Sequence, residues 1–189
     1  MKKILILGGA GFIGFNLAKS LQKDILNKIT IADNLSRGKM DSSLSDLLIN
    51  ENVDFIEGDF TKFKQYENLD DDYDIVYMLA AVVGVNNTLK KPSEIIRINT
   101  RLTINTLEWL SLSSVKKVVF TSTSENYAGT IDKFDYVIPT PEEVPLTITD
   151  ISHPRFTYAV TKILGESGFL NYAKSFGFEC TVVRYHNVI

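Results

Sequence analysis

The stretch Lys2-Lys3-Ile4-Leu5-Ile6-Leu7-Gly8-Gly9-Ala10-Gly11-Phe12-Ile13-Gly14 decides the fold of this chain. Its apolar run ends in a glycine-rich turn, and a pattern with helical periodicity follows at once. In a phosphate-binding strand-turn-helix, Gly8 allows the tight turn, Gly11 lets the backbone approach a pyrophosphate, and Gly14 lets the helix pack on its strand. The helix N-terminus then attracts the phosphates. The stretch predicts dinucleotide binding, although tight turns also use glycine without any ligand.

Length and composition are those of one globular domain. The chain has 189 residues, 44% of them hydrophobic, which is enough for a substantial core. The net charge of −3 gives no electrostatic reason to expect nucleic acid or an anionic membrane as a partner. Cys180 is the one cysteine and is expected to be a buried structural thiol. His153 and His186 are too far apart for a metal motif, so we predict no metal site.

The apolar runs are too short for a signal peptide or a membrane span. Only four apolar residues separate Lys3 from Gly8, fewer than a signal peptide needs. The longest later run, 75–83, cannot cross a bilayer. We therefore predict no membrane partner and a cytoplasmic location.

Short β-branched runs alternate with longer amphipathic segments along the chain. Strands are predicted near residues 3–7, 28–32, 53–57, 74–79, 116–121 and 178–184, and helices near 12–24, 40–49, 61–68, 93–112 and 154–176. This alternation predicts βαβ units and a doubly wound, Rossmann-type α/β fold, with a parallel sheet covered by helices on both faces. The ligand crevice then lies at the carboxyl ends of the strands.

The stretch 128–153 is predicted to be irregular, because it is polar and holds three of the five prolines. A long insert without secondary structure is usually a functional loop. Pro154 suits the first turn of the next helix, with Ser152 or His153 near the cap.

Asp33 closes the second predicted strand, about 20 residues after Gly14. A carboxylate there accepts hydrogen bonds from the ribose hydroxyls and repels a 2′-phosphate, which favours NAD over NADP. The composition of 33–38 also fits an aspartate that merely shapes a turn, and Arg37 could accommodate a 2′-phosphate.

Two further groups carry possible chemistry. Tyr158 and Lys162 are spaced i, i+4, so on a helix both reach one site, and the cation should lower the tyrosine pKa from ~10. A solvated helix face is the alternative for this pair. Hydroxyls in Phe120-Thr121-Ser122-Thr123-Ser124-Glu125-Asn126-Tyr127 follow the fifth strand and would meet the crevice, although Ser and Thr are common at strand ends.

Together these features resemble the extended short-chain dehydrogenase/reductase family, specifically its NAD-dependent nucleotide-sugar epimerase and dehydratase branch. The resemblance covers essentially the whole chain. It is carried by the motifs already quoted and by Gly58-Asp59-Phe60, Leu79-Ala80-Ala81, Asn99 and Arg184-Tyr185-His186-Asn187. Tyr77-Met78, Ala128 and His186 depart from the usual pattern, which blurs the subfamily more than the chemistry.

The resemblance implies a role for each matching residue. NAD would be held by Gly8, Gly11, Phe12, Ile13 and Gly14 at the pyrophosphate, by Asp33, Asn34, Ser36, Arg37 and Gly38 at the adenosine ribose, by Asp59 and Phe60 at the adenine, and by Leu79, Ala80, Ala81, Asn99, Tyr158, Lys162, Tyr185 and His186 around the nicotinamide. The substrate would meet Thr123, Ser124, Tyr158 and Asn187, and the catalytic set would be Thr123, Glu125, Tyr158 and Lys162.

The implied reaction forms a transient 4-keto sugar, with Tyr158 as the base. An epimerase is the preferred reading. A 4,6-dehydratase or a UDP-uronate decarboxylase that uses Glu125 is the alternative, because Thr-Ser-Glu resembles those enzymes. A non-catalytic NAD(P)-binding sensor or scaffold is the alternative from another class.

The resemblance also implies a homodimer through helices 93–112 and 154–176. We expect Ile98, Leu102, Leu107, Val160, Leu164 and Phe169 to supply its apolar surface, although core packing would explain several of them equally well. Family members continue well beyond the position of Ile189 with a segment that builds most of the nucleotide-sugar pocket. We therefore expect residues 1–189 to be the NAD-binding Rossmann domain, with the substrate-binding segment absent or truncated, and we expect poor turnover from these residues alone.

Overall fold

Six short apolar runs form one parallel sheet in the computed structural model, which describes residues 1–186 and 188. The strands are β1 (Lys2–Leu7), β2 (Asn27–Asp33), β3 (Val53–Glu57), β4 (Ile75–Met78), β5 (Lys117–Thr123) and β6 (Glu179–Tyr185). Their order in the sheet is β3-β2-β1-β4-β5-β6, with every neighbouring pair parallel. The order reverses between β1 and β4, where doubly wound sheets hold their ligands. The predicted Rossmann-type fold is confirmed.

Helices cover both faces of this sheet. The α-helices of the described residues are α1 (Phe12–Leu21), α2 (Ser42–Leu47), α3 (Val85–Lys90), α4 (Pro92–Ser111), α5 (Ala128–Phe134) and α6 (Thr157–Phe176). Short 3₁₀ helices occupy Phe63–Asn68, Ser124–Tyr127 and Pro154–Phe156.

Successive residues of β1 pack into two different cores, because neighbouring side chains of a strand point to opposite faces. Ile4 and Ile6 lie in the core under α1 and α2, with Ala18 and Leu44. Leu5 and Leu7 lie in the core under α4 and α6, whose members include Trp109, Phe120 and Phe169. These four β1 side chains are at most 1% exposed, which explains why the run Ile4–Leu7 is apolar throughout rather than alternating.

Three predictions of secondary structure were wrong. The segment predicted as a helix near 61–68 is a 3₁₀ helix over Phe63–Asn68, and the six-residue helix α3 was not foreseen. The stretch 128–153, predicted to be irregular, begins with α5. Short helices such as these depend on tertiary contacts more than on local propensity, so the sequence pattern does not reveal them.

Contacts with the following loop hold α5 in place. The Gly129 N–H donates to the Thr147 carbonyl at 3.0 Å, and a Cβ on Gly129 would lie 2.6 Å from that oxygen. The Thr130 hydroxyl donates to the Pro145 carbonyl and lies 3.0 Å from the Thr147 hydroxyl. The rest of the stretch is therefore anchored to α5, even though it has little regular structure.

The start of α6 follows the predicted pattern. Pro154 opens a 3₁₀ turn that runs directly into the helix, and the His153 Nδ1 accepts a hydrogen bond from the Arg155 N–H at 3.1 Å. Ser152 instead bonds to the Asp150 carboxylate. His153 is thus the capping residue of the two that were considered.

Within residues 1–186 and 188, no helix combines the length and apolar character needed to cross a membrane. In the same residues, no three His, Cys, Asp or Glu side chains converge as a metal site requires. Cys180 is partly buried on β6, and this burial raises the pKa of its thiol to about 11.

Candidate active site

The glycine turn after β1 is required by close backbone approaches. Gly8 has φ +83°, and a Cβ there would lie 2.7 Å from the backbone N and Cα of Ala80, in the loop that follows β4. A Cβ on Gly14 would lie 2.6 Å from the Cα of Gly9. The two loops at the switch point therefore touch through bare backbone, and α1 packs directly against the turn.

The N-terminus of α1 is free for an anionic ligand. Gly11 is the N-cap residue, no side chain caps the helix, and its first turn holds no acidic residue. A Cβ on Gly11 would meet only the Gly8 carbonyl oxygen, at 3.4 Å, so the protein's own packing does not demand a glycine here. The bare surface leaves room above unsatisfied N–H groups, which is the geometry that suits a pyrophosphate.

Asp33 ties the end of β2 to the glycine turn. Its Oδ2 accepts a hydrogen bond from the Ala10 N–H at 3.0 Å, and its Oδ1 accepts from the Leu35 N–H at 2.8 Å. Each carboxylate oxygen can accept two hydrogen bonds, so the side chain can shape this turn and still bind ribose hydroxyls. Beside it, a cleft of about 390 Å³ is lined by residues that include Gly11, Phe12, Arg37 and Gly38.

A second cleft, of about 300 Å³, lies at the ends of β2 and β3. Its lining includes Asn34, Asp59 and Gln65. The Asp59 carboxylate is fixed by the Thr61 hydroxyl, which donates to its Oδ1 at 2.7 Å. Phe60 is 4% exposed and packs edge-on against Tyr66, so it supports this cleft from the core and does not line it.

Asn99 anchors the loop after β4, which contains Leu79, Ala80 and Ala81. Its Oδ1 accepts from the Val82 N–H at 2.8 Å, and its Nδ2 donates to the Val82 carbonyl at 3.0 Å. The same Nδ2 lies 3.4 Å from the Thr161 hydroxyl, which donates to the Tyr158 carbonyl. Asn99 thus joins the predicted nicotinamide side of the crevice to α6.

Tyr158 and Lys162 are brought to the end of β5 because α6 packs closely on that strand. A Cβ on Gly165 would lie 2.2 Å from the Phe120 ring, so only glycine permits this approach. The Lys162 ammonium is buried, donates to the Thr121 carbonyl at 2.7 Å and lies 5.7 Å from the centre of the Tyr158 ring. The predicted pair therefore shares one face of the helix, with both side chains in the crevice.

The predicted effect of Lys162 on the tyrosine was wrong. Burial, together with the charge of Glu125, raises the pKa of Tyr158 to about 12, although Arg37 acts in the opposite direction. Burial also lowers the pKa of Lys162 to about 8. The ammonium donates to a backbone carbonyl rather than to the phenol, so its charge does not outweigh the cost of burying a phenolate. Tyr158 is consequently a neutral phenol at pH 7.

Thr123 and Glu125 lie together where β5 ends. Thr123 is buried, and its Oγ1 accepts from the Glu125 N–H at 3.2 Å, which caps the following 3₁₀ turn and leaves the hydroxyl hydrogen available. Glu125 is half-buried, and this burial raises the pKa of its carboxyl despite the opposing charge of Arg155. A carboxyl of raised pKa therefore acts on Tyr158, and the Thr123 hydroxyl lies beside the backbone of that carboxyl's residue.

The remaining predicted residues are less closely involved. Ser124 is half-buried next to Thr123, and Tyr185 pairs with Thr123 across β5 and β6. Ser36 and His186 are both exposed, and the contacts predicted for them are with the ligand. Asn187 lies outside the described residues.

The sequence pattern did not predict a role for Glu166 or for Arg184. Their side chains form an ion pair of 2.7 Å behind the 124–127 turn, with Glu166 buried and Arg184 partly buried. The available signal was a glutamate four residues after Lys162, on a helix face that is otherwise buried.

Residues 4–189 match the NAD dependent epimerase/dehydratase family. The chain belongs to this family. NAD is the cofactor of the family, and the bare glycine turn, the uncapped N-terminus of α1 and Asp33 fit that cofactor in this member of the epimerase/dehydratase family.

Similar proteins agree with this assignment. A UDP-N-acetyl-alpha-D-glucosaminuronate decarboxylase of Bacillus cytotoxicus is 36% identical over 187 residues, which are 99% of this chain and 54% of that protein. The UDP-Glc/GlcNAc 4-epimerase of Campylobacter jejuni superposes with a TM-score of 0.83 at 28% identity, over 99% of this chain and 54% of that one. A UDP-glucose 4-epimerase from Brucella ovis, solved in complex with NAD, gives a TM-score of 0.77 at 26% identity, over 99% and 52%. The chain thus spans about half the length of these relatives.

Burial of Lys162 makes a prediction about the pH dependence of stability. Folded Lys162 releases its proton at about pH 8 and an unfolded lysine at ~10.5, so between these values the unfolded chain binds more protons. Stability due to this residue therefore rises with pH, by about 2–3 kcal/mol between pH 8 and pH 10. Urea unfolding of the wild type and of Lys162→Met at both pH values measures it. An equal pH dependence in both proteins would contradict the burial of a charged Lys162.

Proposed function

We propose that this protein is an NAD-dependent nucleotide-sugar epimerase that acts through a transient 4-keto sugar. The main support is that Thr123, Tyr158 and buried Lys162 lie at the carboxyl end of β5. This end is beside the switch point of the sheet. The names of the relatives support a UDP-sugar as the substrate. The cytoplasmic location stays a prediction.

Each side chain has a role in the proposed reaction. When bound, NAD supplies a reversible hydride acceptor. The Thr123 hydroxyl donates to the 4-oxygen of the sugar, and Tyr158 takes the proton of the C4 hydroxyl as C4 loses its hydride. The same phenol returns the proton to the 4-oxygen when the hydride comes back to the other face of C4. With NAD bound, the positive charge of the nicotinamide ring would act together with that of Lys162. Both charges favour the phenolate form of Tyr158 and so offset the effect of its burial.

Glu125 supports a second reaction type. Its half-buried carboxyl lies near Tyr158 and has a raised pKa, which suits an acid or base that works near neutral pH. In a 4,6-dehydratase it would take the C5 proton of the 4-keto sugar, water would leave from C6, and the hydride removed from C4 would return to C6. In a UDP-uronate decarboxylase the 4-ketone would allow loss of CO₂, and the similarity to the Bacillus cytotoxicus decarboxylase supports this candidate.

Product analysis of the wild type and of Glu125→Gln is expected to separate these reactions. The whole protein is incubated with NAD and a panel of UDP-sugars, and the products are identified by NMR. For an epimerase, one carbon is inverted and Glu125→Gln retains most of the activity, because Glu125 takes no part in the proton transfer. A 4-keto-6-deoxy product or CO₂ release that Glu125→Gln abolishes would establish the second reaction type. Bound NAD with no product from any sugar would favour the sensor or scaffold.

We also propose a homodimer through α4 and α6, but with a different apolar surface from the one predicted. Leu102, Leu107 and Phe169 are at most 7% exposed and belong to the core, and Ile98 is half-buried. Val160 and Leu164 on α6 are exposed as predicted, and the exposed apolar side chains on α4 are Ile96 and Ile104. They give each helix an apolar strip for a partner across a two-fold axis.

Leu164→Glu is expected to convert the dimer into a monomer, because it places a charge in the centre of this apolar strip. Leu164 is 43% exposed, and Leu170→Glu is the matched control, since Leu170 is 41% exposed but lies on another side of α6. Light scattering at micromolar concentration measures both variants. A wild-type monomer, or a Leu164→Glu dimer, would refute the proposed interface.

A further inference from the structure

The buried carboxylate of Glu166 collects donors from three elements. It lies on α6, four residues after Lys162, and is 4% exposed. Its Oε1 accepts from the Ser122 hydroxyl at 2.5 Å, from Asn126 Nδ2 at 2.8 Å and from Arg184 Nε at 3.0 Å. Its Oε2 accepts from Arg184 Nη2 at 2.7 Å. The two-pronged contact with Arg184 fixes the orientation as well as the distance of the pair.

Arg184 extends this network to the loop after α5. Its Nη1 donates to the Tyr127 hydroxyl at 2.8 Å and to the Glu142 carbonyl at 2.9 Å. Its guanidinium lies 5.2 Å from the centre of the Tyr127 ring. One ion pair therefore connects β6, the end of β5, the 124–127 turn and the loop to the helix that carries Tyr158 and Lys162.

The residues held by this pair lie on both sides of the candidate catalytic groups. Ser122 precedes Thr123 in the chain, and Asn126 follows Glu125, and both bond to the same Glu166 oxygen. The segment between them is consequently clamped to α6 at its two ends. A shift of Glu166 would move Thr123 and Glu125 relative to Tyr158.

Stability alone does not account for the arrangement. A buried ion pair is a weak stabiliser, because apolar residues of similar volume commonly stabilise as well or better. Within residues 1–186 and 188, the Asn126 Oδ1 is also a buried oxygen without a hydrogen-bond partner, which carries a desolvation cost. Local features that cost stability are most frequent at functional sites.

We propose that Glu166 and Arg184 are positioning residues that hold Thr123 and Glu125 in register with Tyr158. This role rests on the proposed function for its purpose, since Thr123 would hold the sugar oxygen in the epimerase reaction and Glu125 would act in the second reaction type. The pair itself acts through the turn and does not touch the reacting atoms.

The titration of Glu125 reports on this positioning without any substrate. The charge that acts on Glu125 is that of Arg155, in the 3₁₀ turn before α6. Tyr158 is affected by Glu125 itself and by Arg37, in the loop after β2. Burial in the clamped turn is what raises the Glu125 pKa. Release of the turn would hydrate the carboxyl and lower that pKa toward its ordinary value.

The test is a ¹³C NMR titration of glutamate side-chain carboxyls, with Glu125 assigned from Glu125→Gln. In Arg184→Lys the cation is kept, but one ammonium cannot reproduce the fork to Glu166, Tyr127 and Glu142. We expect the Glu125 pKa to fall measurably toward its ordinary value in Arg184→Lys. Tyr127→Phe removes one link and should shift it in the same direction, by less.

Glu179→Gln is the matched control, because it removes an exposed ion pair with Lys117, 3.7 Å long, at the far end of the same two strands. It should leave the Glu125 pKa unchanged. An unchanged Glu125 pKa in folded Arg184→Lys and Tyr127→Phe would overturn the positioning role. If Arg184→Lys does not fold, Tyr127→Phe, which keeps the ion pair, decides the outcome. Absence of turnover with every sugar would instead count against the proposed function, because this titration needs no substrate.

Discussion

Tyr158→Phe is expected to lower turnover of the nucleotide sugar by about 10²–10⁴-fold while leaving NAD affinity nearly unchanged. The ring of Phe keeps the packing of the buried tyrosine against Lys162 but has no oxygen that can take the C4 hydroxyl proton. The binding of NAD depends instead on the glycine turn, the α1 N-terminus and Asp33. Rates by NMR and NAD affinity by calorimetry, both with the whole protein, measure the two effects.

The control for this experiment is Tyr172→Phe, on the same helix. Tyr172 is partly buried and packs against Phe176, at a centroid distance of 5.2 Å, away from the crevice. It should have wild-type turnover. Full activity of Tyr158→Phe would exclude the phenol as the base and leave Glu125 as the remaining candidate in the crevice.

Gly8→Ala is expected to abolish NAD binding. It is also expected to destabilise the protein more than Gly177→Ala, its matched control. Its Cβ would lie 2.7 Å from the Ala80 backbone, which cannot rotate away as a side chain could. The loops after β1 and β4 would have to separate, and these loops form the switch point at which the cofactor is expected to bind.

Gly177→Ala separates the steric effect from the backbone effect. Gly177 has φ +81°, close to the +83° of Gly8, but a Cβ there would meet nothing within 4 Å. It should lose roughly 1–2 kcal/mol from the left-handed conformation alone. Gly8→Ala should lose about 1–3 kcal/mol more, from the clash. Equal losses in urea unfolding, with NAD binding retained by Gly8→Ala, would show that the close approach to Ala80 is not required.

Much of the fold was predictable because each strand carries its own signal. The run Ile4–Leu7 is apolar throughout since both faces of β1 are buried, and Gly8 and Gly14 lie at contacts that any side chain would block. Pro154 correctly marked the start of the last helix, but the sequence left Ser152 and His153 both open as the capping residue, and the structure selects His153. By contrast, α5 is held by Thr147 and Pro145, residues that the local sequence does not connect to it.

The chemistry of the site was less predictable than its residues. The i, i+4 spacing of Tyr158 and Lys162 correctly put both on one helix face, but it could not show how deeply each is buried. Burial reverses the expected direction of the tyrosine pKa. The Glu166–Arg184 pair depends on an approach of α6 to β5 and β6 that no spacing within the chain reveals. Leu102 and Phe169 were misplaced for the same reason, because an apolar helix residue can face the core or a partner.

The most direct test of the central claim uses a UDP-sugar that carries deuterium at C4. If the protein transfers the C4 hydride reversibly while Tyr158 moves the hydroxyl proton, the NMR spectrum of the product will show inversion at C4 with the deuterium still on that carbon. Tyr158→Phe should give no product over the same time. Loss of the deuterium to solvent would contradict a 4-keto intermediate formed by hydride transfer.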